Sequence, residues 1–408
     1  MESIIVIGGG PAGLMAAITA AENGKNVILI EKNAKIGRKL MITGKGRCNL
    51  TNNCDRDTLL ANIPRNARFL YSAFSKFTPQ DLMNFFEDAG VPLKTERGNR
   101  GFPASDKAVD IVDALYGKLQ KNSVRLINQR VEEILTDEGR VIGVRLADTE
   151  QLFAQRVLIA TGGLSYPLTG STGDGLRFAR ALGHTVTELK PSLVPLECHE
   201  GFCSKLSGLS LKNITLSVFE EGKKKPVFSE MGEMQFTHFG ISGPLVLSAS
   251  AYMKKPEDRK YTAVIDLKPA LTAEQLDKRI LRDFEEQNNR DFSNSLDKLL
   301  PRSLIPVIVS LSGIAPDCKV NQINKRQRSE LCGLLKNLTL HITSFRPIEE
   351  AIVTSGGVSV KEINPATMES KLIEGLFFAG EVIDLDAFTG GFNLQIAFST
   401  GYLAGINM

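Results

Sequence analysis

Near the start of the 408-residue chain, Gly8-Gly9-Gly10-Pro11-Ala12-Gly13 has the spacing G-x-G-x-x-G, and Glu31 follows 18 residues after Gly13. Glycines at these places permit a tight turn and let a pyrophosphate approach the N-terminus of the next helix, against Gly8, Gly10, Pro11, Ala12 and Gly13. A carboxylate at Glu31 would accept hydrogen bonds from adenosine ribose hydroxyls. The chemistry this predicts is dinucleotide binding.

A second block holds six cations between Lys32 and Arg47, interleaved with Gly37, Gly44 and Gly46 and followed by Cys48-Asn49-Leu50-Thr51-Asn52. A charge run is usually a solvated face. The interleaved glycines and the polar tail instead predict a loop around a polyanionic, hydroxyl-rich ligand such as FAD, with Lys32, Arg38, Lys39, Gly44, Gly46, Arg47, Cys48 and Asn49 in contact. Cys48 and Cys54 are spaced C-x5-C with no second glycine fingerprint for a nicotinamide domain, so Cys48 reads as a loop residue beside the cofactor and not half of a redox disulfide. The other cysteines do not group with the four histidines, and no metal site is expected.

Thr161-Gly162-Gly163 ends an apolar strand and is predicted to cover the adenosine diphosphate half. Val131 is counted with the cofactor contacts. The loop Gly170-Ser171-Thr172-Gly173-Asp174-Gly175 either lines the cavity or is a plain helix start capped by Ser171 or Thr172. Towards the C-terminus, Gly380-Glu381 closes another apolar strand, and Gly391-Phe392-Asn393-Leu394-Gln395 opens a small-residue helix. Its N-terminus is predicted to face a flavin pyrimidine, with Asp384, or else Asp386, on the ribityl hydroxyls.

These motifs need rigid elements to hold them. Residues 3–31 read as strand, glycine turn, helix, strand, a parallel βαβ opening. Helical patterns follow over 66–77, 78–90 and 108–121, then a meander over 130–153 and a strand at 157–160. From Pro191 the texture turns to prolines and two-residue alternation (214–219, 261–267) with helices at 272–287 and 325–337. The buried-strand signature returns at 352–358 and 376–380. The division predicted is a discontinuous domain, 1–190 and 342–408, split by an inserted β-plus-α module, 191–341. The fold class is α/β.

Composition narrows the function classes. Hydrophobic residues at 42% and charged residues at 23% are those of a soluble globular protein and exclude a disordered or disulfide-scaffold chain. The net charge of +3 gives no whole-molecule field for nucleic acid or membrane. The first residues, Met1 and Glu2 included, lack a basic leader. The apolar run at 304–315 is interrupted and falls short of the roughly 20 residues of a membrane span. A cytoplasmic protein with reduced cysteines is expected.

Together these blocks resemble the bacterial FAD-dependent oxidoreductases that include BaiN-like bile-acid reductases and aminoacetone-oxidase-like flavoproteins. The resemblance runs through GRKLMITGKGRCNLTN, GGLSYPLTGSTGDG, THFGISGP at 237–244 and GEVIDLDAFTGGFNLQIAFSTGY. It implies a Rossmann-like FAD domain of the glutathione-reductase type, split by a β-barrel-like and helical insert. Phe392, Ile396 and Ala387-Phe388 depart from the pattern, which touches substrate shape rather than FAD.

No paired carboxylates or nucleophile–base arrangement stands out, as suits a reaction whose hard chemistry belongs to the cofactor. His238 and Tyr166 are the candidates for proton transfer; each also has a plain packing role open to it. The function predicted is hydride transfer through flavin N5, with NADH or NADPH docking transiently, to an activated C=C bond of a small molecule held under the insert. Amine oxidation with oxygen and a non-catalytic redox sensor are the alternatives. Neither a nucleic-acid nor a membrane partner is expected, and oligomeric state is not legible.

Overall fold

The computed structural model describes residues 3–408, so Met1 and Glu2 lie outside the described residues. The chain divides into two compact units. One runs up to Ser192 and resumes at Pro347; the other is Leu193–Arg346.

The first unit is built on a five-stranded parallel sheet. From one edge to the other its strands are Leu376–Phe378, Arg156–Ile159, β1 (Ser3–Ile7), β2 (Asn26–Ile30) and Arg125–Ile127. In register, Ile5 lies opposite both Val157 and Ile28. The inner strands are short apolar runs because both faces of a parallel sheet are covered there. Helix α1 (Pro11–Glu22) follows β1, and its residues Ala12–Ala20 are all buried. An all-round apolar helix needs neighbours on every side, and the helix Phe392–Asn407 supplies one. A Cβ on Gly401 would lie 2.3 Å from the Ala12 carbonyl oxygen and one on Gly405 2.8 Å from that of Ala16, so the two backbones approach as only glycine permits.

The meander Val131–Asp137, Arg140–Leu146, Gln151–Phe153 forms as expected. Of the two buried-strand patterns read at 352–358 and 376–380, the second joins the parallel sheet, while Val353–Ser355 pairs antiparallel with Lys190–Ser192, since an apolar run reports burial and not which strand covers it. The edge strand Arg125–Ile127 and the hairpin Leu93–Glu96 with Arg100–Pro103 carry too little periodicity to be read from sequence.

The second unit is a closed six-stranded antiparallel barrel in the order Leu196–Cys198, Gly240–Ser242, Phe228–Phe236, Ser210–Glu220, Tyr261–Asp266, Leu338–Phe345. Buried and part-exposed residues alternate along Tyr261–Asp266, the period-two pattern of a strand with one face inward. Helices Ala273–Glu285 and Lys325–Lys336 begin with capping boxes, Thr272 with Gln275 and Asn324 with Gln327. The unit ends at Arg346 rather than 341, because the strand from Leu338 stays in the barrel as far as Phe345, which pairs with Leu196.

Among the described residues no helix is long and apolar enough to cross a membrane, and no group of three or more His, Cys, Asp or Glu is placed to hold a metal ion.

Candidate cofactor site

The glycine turn sits at the carboxyl end of β1. Gly8 has φ +108°, and a Cβ there would lie 2.6 Å from the Ala160 carbonyl oxygen. Gly13 lets α1 close onto this turn, since its Cβ would fall 1.9 Å from the Gly8 oxygen. Gly10 differs: a Cβ there meets nothing within 4 Å. It is the N-cap of α1 and no side chain caps the helix, so the first turn, with Pro11 at its start, points its positive end into open space. Two glycines are there for packing and one for access, which is the division of labour a bound pyrophosphate demands.

Glu31, at the end of β2, is held in place from two sides. One carboxylate oxygen accepts from the Gly9 N–H at 2.7 Å; the other accepts from the Asn33 N–H at 2.8 Å and its side-chain amide at 2.6 Å. Thr161, Gly162 and Gly163 close over the turn from the neighbouring strand: the Cα of Thr161 would be 3.1 Å from a Gly8 Cβ. Thr161 Oγ1 also accepts from the Gly175 N–H at 3.1 Å, tying the helix Asp174–Ala181 to the same place. That helix is N-capped by Gly173 with no side-chain bond, so Ser171 and Thr172 are not its caps. The Val131 side chain is buried and paired across to Leu146, leaving only its backbone for a ligand.

The cations behave differently from expectation. Lys32 donates to Thr172 Oγ1 at 2.5 Å and Asp174 Oδ2 at 2.6 Å. Lys39 donates to Glu381 Oε2 at 2.7 Å and Ser165 Oγ at 2.6 Å. Arg47 belongs to an ion-pair cluster with Glu96 and Asp106 and stacks on Phe102 at 4.2 Å. Its guanidinium is thus engaged by carboxylates that lie far from it in sequence. Arg38 is exposed and donates only to Asn33 Oδ1, at 2.9 Å, which leaves most of its five donors for an anion.

Gly44 and Gly46 have positive φ in the short 3-10 turn Thr43–Gly46. Cys48 is fully buried, and burial pushes its thiol up to about 12; burial likewise pushes Cys54 up to about 11. Both stay thiols near neutrality, where only the thiolate is a nucleophile. Asn49 donates to the Gly101 and Thr51 carbonyls and accepts from the Gly391 N–H at 3.0 Å, joining the cation-rich loop to the start of the C-terminal helix.

That helix, Phe392–Asn407, also starts without a side-chain cap. Gly391 has φ +99°, and a Cβ would lie 2.2 Å from the Thr51 oxygen. The side chains of its first turn face inward. Phe392 is buried, and Asn393 clips the preceding loop by bonds to the Ala387 N–H (2.9 Å) and carbonyl (2.7 Å). Gln395 turns its side chain into the core. Its backbone N–H donates to Gly391, and its buried amide binds Thr51, Ser399 and the Phe77 carbonyl. The backbone of Phe392 and Asn393 and the part-exposed Leu394 are left to face a ligand.

Gly380 leaves no room for a side chain, its Cβ 2.8 Å from that of Ala12. Glu381 joins three blocks by binding Lys39, Ser165 Oγ (2.9 Å) and the Thr354 N–H (2.8 Å). Sequence reasoning missed Ser165 and Thr354; Thr354 has no local signal at all. The two aspartates separate cleanly. Asp386 is buried and engaged through both oxygens, with Arg65 at 2.7 Å and Ser192 Oγ at 2.8 Å. Asp384 Oδ1 is buried with no hydrogen-bond partner, and such an atom calls for a ligand hydroxyl or water. Asp384→Ala is expected to weaken FAD binding at least about tenfold with little change in melting temperature. Asp386→Ala, which strands Arg65 and Ser192, should cost about 1–3 kcal/mol of stability; flavin titration and thermal melts of both variants check this.

The open cradle at Gly10 and the unpartnered Asp384 oxygen both suit FAD. Over residues 2–407 the chain matches the family described as HI0933-like protein Rossmann domain. The chain belongs to this family. Its membership makes it a flavin-dependent oxidoreductase with an FAD-binding Rossmann fold. This HI0933-like chain is 32% identical over 412 residues to the 3-dehydro-bile acid delta(4,6)-reductase of Clostridium scindens, covering 99% of this chain and 98% of that one. It is 32% identical over 410 residues to the ribosomal RNA dihydrouridine synthase of Haemophilus influenzae, with the same coverage. Among solved structures, 3-ketosteroid delta1-dehydrogenase from Sterolibacterium denitrificans superposes with a TM-score of 0.53 at 15% identity, covering 100% of this chain and 99% of that one, a likeness of fold alone.

The two candidate acids fall in different units. Tyr166 lies in the first, at φ +52°, its N–H bonded to the Glu349 carbonyl. It is half-buried, and burial, aided by Glu350, pushes its phenol above the ordinary tyrosine range. His238 lies in the barrel unit, exposed at the tip of the turn between Phe228–Phe236 and Gly240–Ser242 and edge-on to Phe239 at 4.9 Å.

Proposed function

We propose that this chain reduces a carbon–carbon double bond conjugated to a carbonyl, using NADH or NADPH as electron donor. FAD, when bound, supplies the chemistry by passing hydride through its N5. The observation that carries the reading is a shared bond change. The bile-acid and dihydrouridine relatives, both full-length matches, differ in substrate yet both saturate a C=C bond next to a carbonyl.

In this reading the first turn of α1 holds the pyrophosphate over Gly10, Glu31 the adenosine ribose and Asp384 the ribityl chain. The N-terminus of Phe392–Asn407 stabilises negative charge on the pyrimidine. Hydride arriving at the carbon β to the carbonyl leaves an enolate, which needs a proton at the α carbon. Tyr166 is proposed to give it, because it is half-buried in the unit that carries the flavin-binding residues and a tyrosine phenol holds its proton throughout the neutral region. Tyr166→Phe is expected to lower turnover about 10²–10⁴-fold while reduction of the bound flavin by nucleotide keeps its rate. His238→Ala should leave both unchanged. Equal turnover by Tyr166→Phe and the parent enzyme would remove the assignment.

The reaction itself is tested by recording the flavin spectrum anaerobically while NADH or NADPH is added, then an electron-poor alkene. Bleaching followed by recolouring on alkene addition is expected. Bleaching by small amines, with peroxide formed on admitting oxygen, would replace the reductase with an oxidase.

A second reading, in which the reduced bond belongs to a uracil ring in RNA, is favoured by the dihydrouridine synthase. Its identity to this chain equals that of the bile-acid enzyme.

A further inference from the structure

The net charge of the chain, +3, is not spread evenly. Glu220 to Lys225 and Lys254 to Lys260 together carry seven cations and four carboxylates, a net +3 equal to that of all 408 residues. The barrel brings these two segments side by side. Glu220 pairs with Tyr261 across adjacent strands, and the Glu221 N–H donates to the Lys260 carbonyl at 2.9 Å. Glu220 is largely covered and takes up Lys223 and Arg259. Lys224, Lys225 and Lys254 are exposed and make no ion pair among the described residues.

An aromatic ring accompanies this charge. Tyr252, two residues before Lys254, is 44% exposed and leans on Phe228 with ring centroids 5.6 Å apart. The ring is thus held by a buried residue of the barrel while the side chain stays open to solvent. Exposed cations next to an exposed aromatic are what single-stranded nucleic acid binding uses: charge tracks the backbone and the ring stacks a base. An anionic lipid surface is favoured less, because Glu257 and Asp258 stand among the cations and no apolar helix accompanies them.

We propose that this end of the barrel is a docking surface for single-stranded RNA, with Lys224, Lys225 and Lys254 on phosphates and Tyr252 under a base. The proposal rests on the uracil reading above, and it places recognition of the polymer in the barrel unit rather than in the unit that carries the flavin-binding residues.

The test uses the full chain with FAD bound and a labelled single-stranded oligouridine RNA, followed by fluorescence anisotropy at stepped salt. The variant K224Q/K225Q/K254Q is expected to bind at least about tenfold more weakly, and its slope of log affinity on log salt should fall by about 2, at roughly 0.7 for each phosphate no longer neutralised. Tyr252→Leu should also weaken binding about tenfold, with the salt slope unchanged. Circular dichroism melts show whether each variant is folded. Equal affinity and slope in the triple variant would overturn the proposal, as would a parent protein that binds phosphatidylserine vesicles and ignores RNA. The alkene assay on the parent enzyme reports separately on the reductase reading, so a failed docking surface and a failed reaction are told apart.

Discussion

Gly10→Val is expected to give a folded protein that purifies without its yellow colour. The backbone at Gly10 has φ −85° and ψ −179°, an extended conformation that valine prefers, and a Cβ there touches nothing within 4 Å. The substitution therefore costs the fold little. The isopropyl group instead fills the space over the first turn of α1, where the free N–H groups must reach a pyrophosphate to be of use. FAD affinity should fall at least about a hundredfold, or roughly 2.7 kcal/mol, with the melting temperature of the flavin-free protein unchanged. Visible absorbance after purification and FAD titration read the first quantity, circular dichroism the second. A Gly10→Val protein that keeps its flavin would mean that the pyrophosphate lies elsewhere.

Gly401→Val is expected to do the reverse and remove the fold itself. Its Cβ would be 2.3 Å from the Ala12 carbonyl oxygen and 3.0 Å from the Ala12 Cα, both backbone atoms that no rotamer change can move aside. Helix Phe392–Asn407 would have to lift off α1, opening the contact on which the buried residues Ala12 to Ala20 depend. Overpacking against side chains costs about 1–3 kcal/mol; a clash with backbone should exceed that and consume much of a typical domain stability of about 5–15 kcal/mol. Soluble yield and the urea midpoint measure it, and a Gly401→Val protein as stable as the parent would show that the two helices are not in close contact.

What could be read from the sequence follows the range of the interactions. The glycine turn, the strands beside it and Glu31 were legible because each is specified within about thirty residues and in one strand–turn–helix pattern. The roles of Gly8, Gly10 and Gly13 differ, but all three want the same residue, so sequence assigned them together and only geometry separated packing from access. The bonds made by the amides of Asn393 and Gln395 were not legible for a related reason. A glycine before a helix indicates that backbone N–H groups are free, and says nothing about where the side chains of that turn point. The ion-pair partners of the cations were the least legible. Lys39 and Glu381 meet across 342 positions and Arg47 finds Glu96 and Asp106 on other segments, pairings with no local signature. Likewise Asp384 and Asp386 are two residues apart and chemically equal. The partners that divide them, Arg65 and Ser192, lie 321 and 194 positions away.

The contact between α1 and Phe392–Asn407 has a consequence for biosynthesis. One of the first helices to leave the ribosome is apolar on every side and finds its cover only when residues near 401 have been made. At about 5–20 residues per second, α1 spends tens of seconds without its partner, while the barrel, whose strands all lie between Leu196 and Phe345, has its whole sequence earlier. The flavin unit is thus the late-folding part of the chain, and the interval before its closure is when a chaperone would be needed.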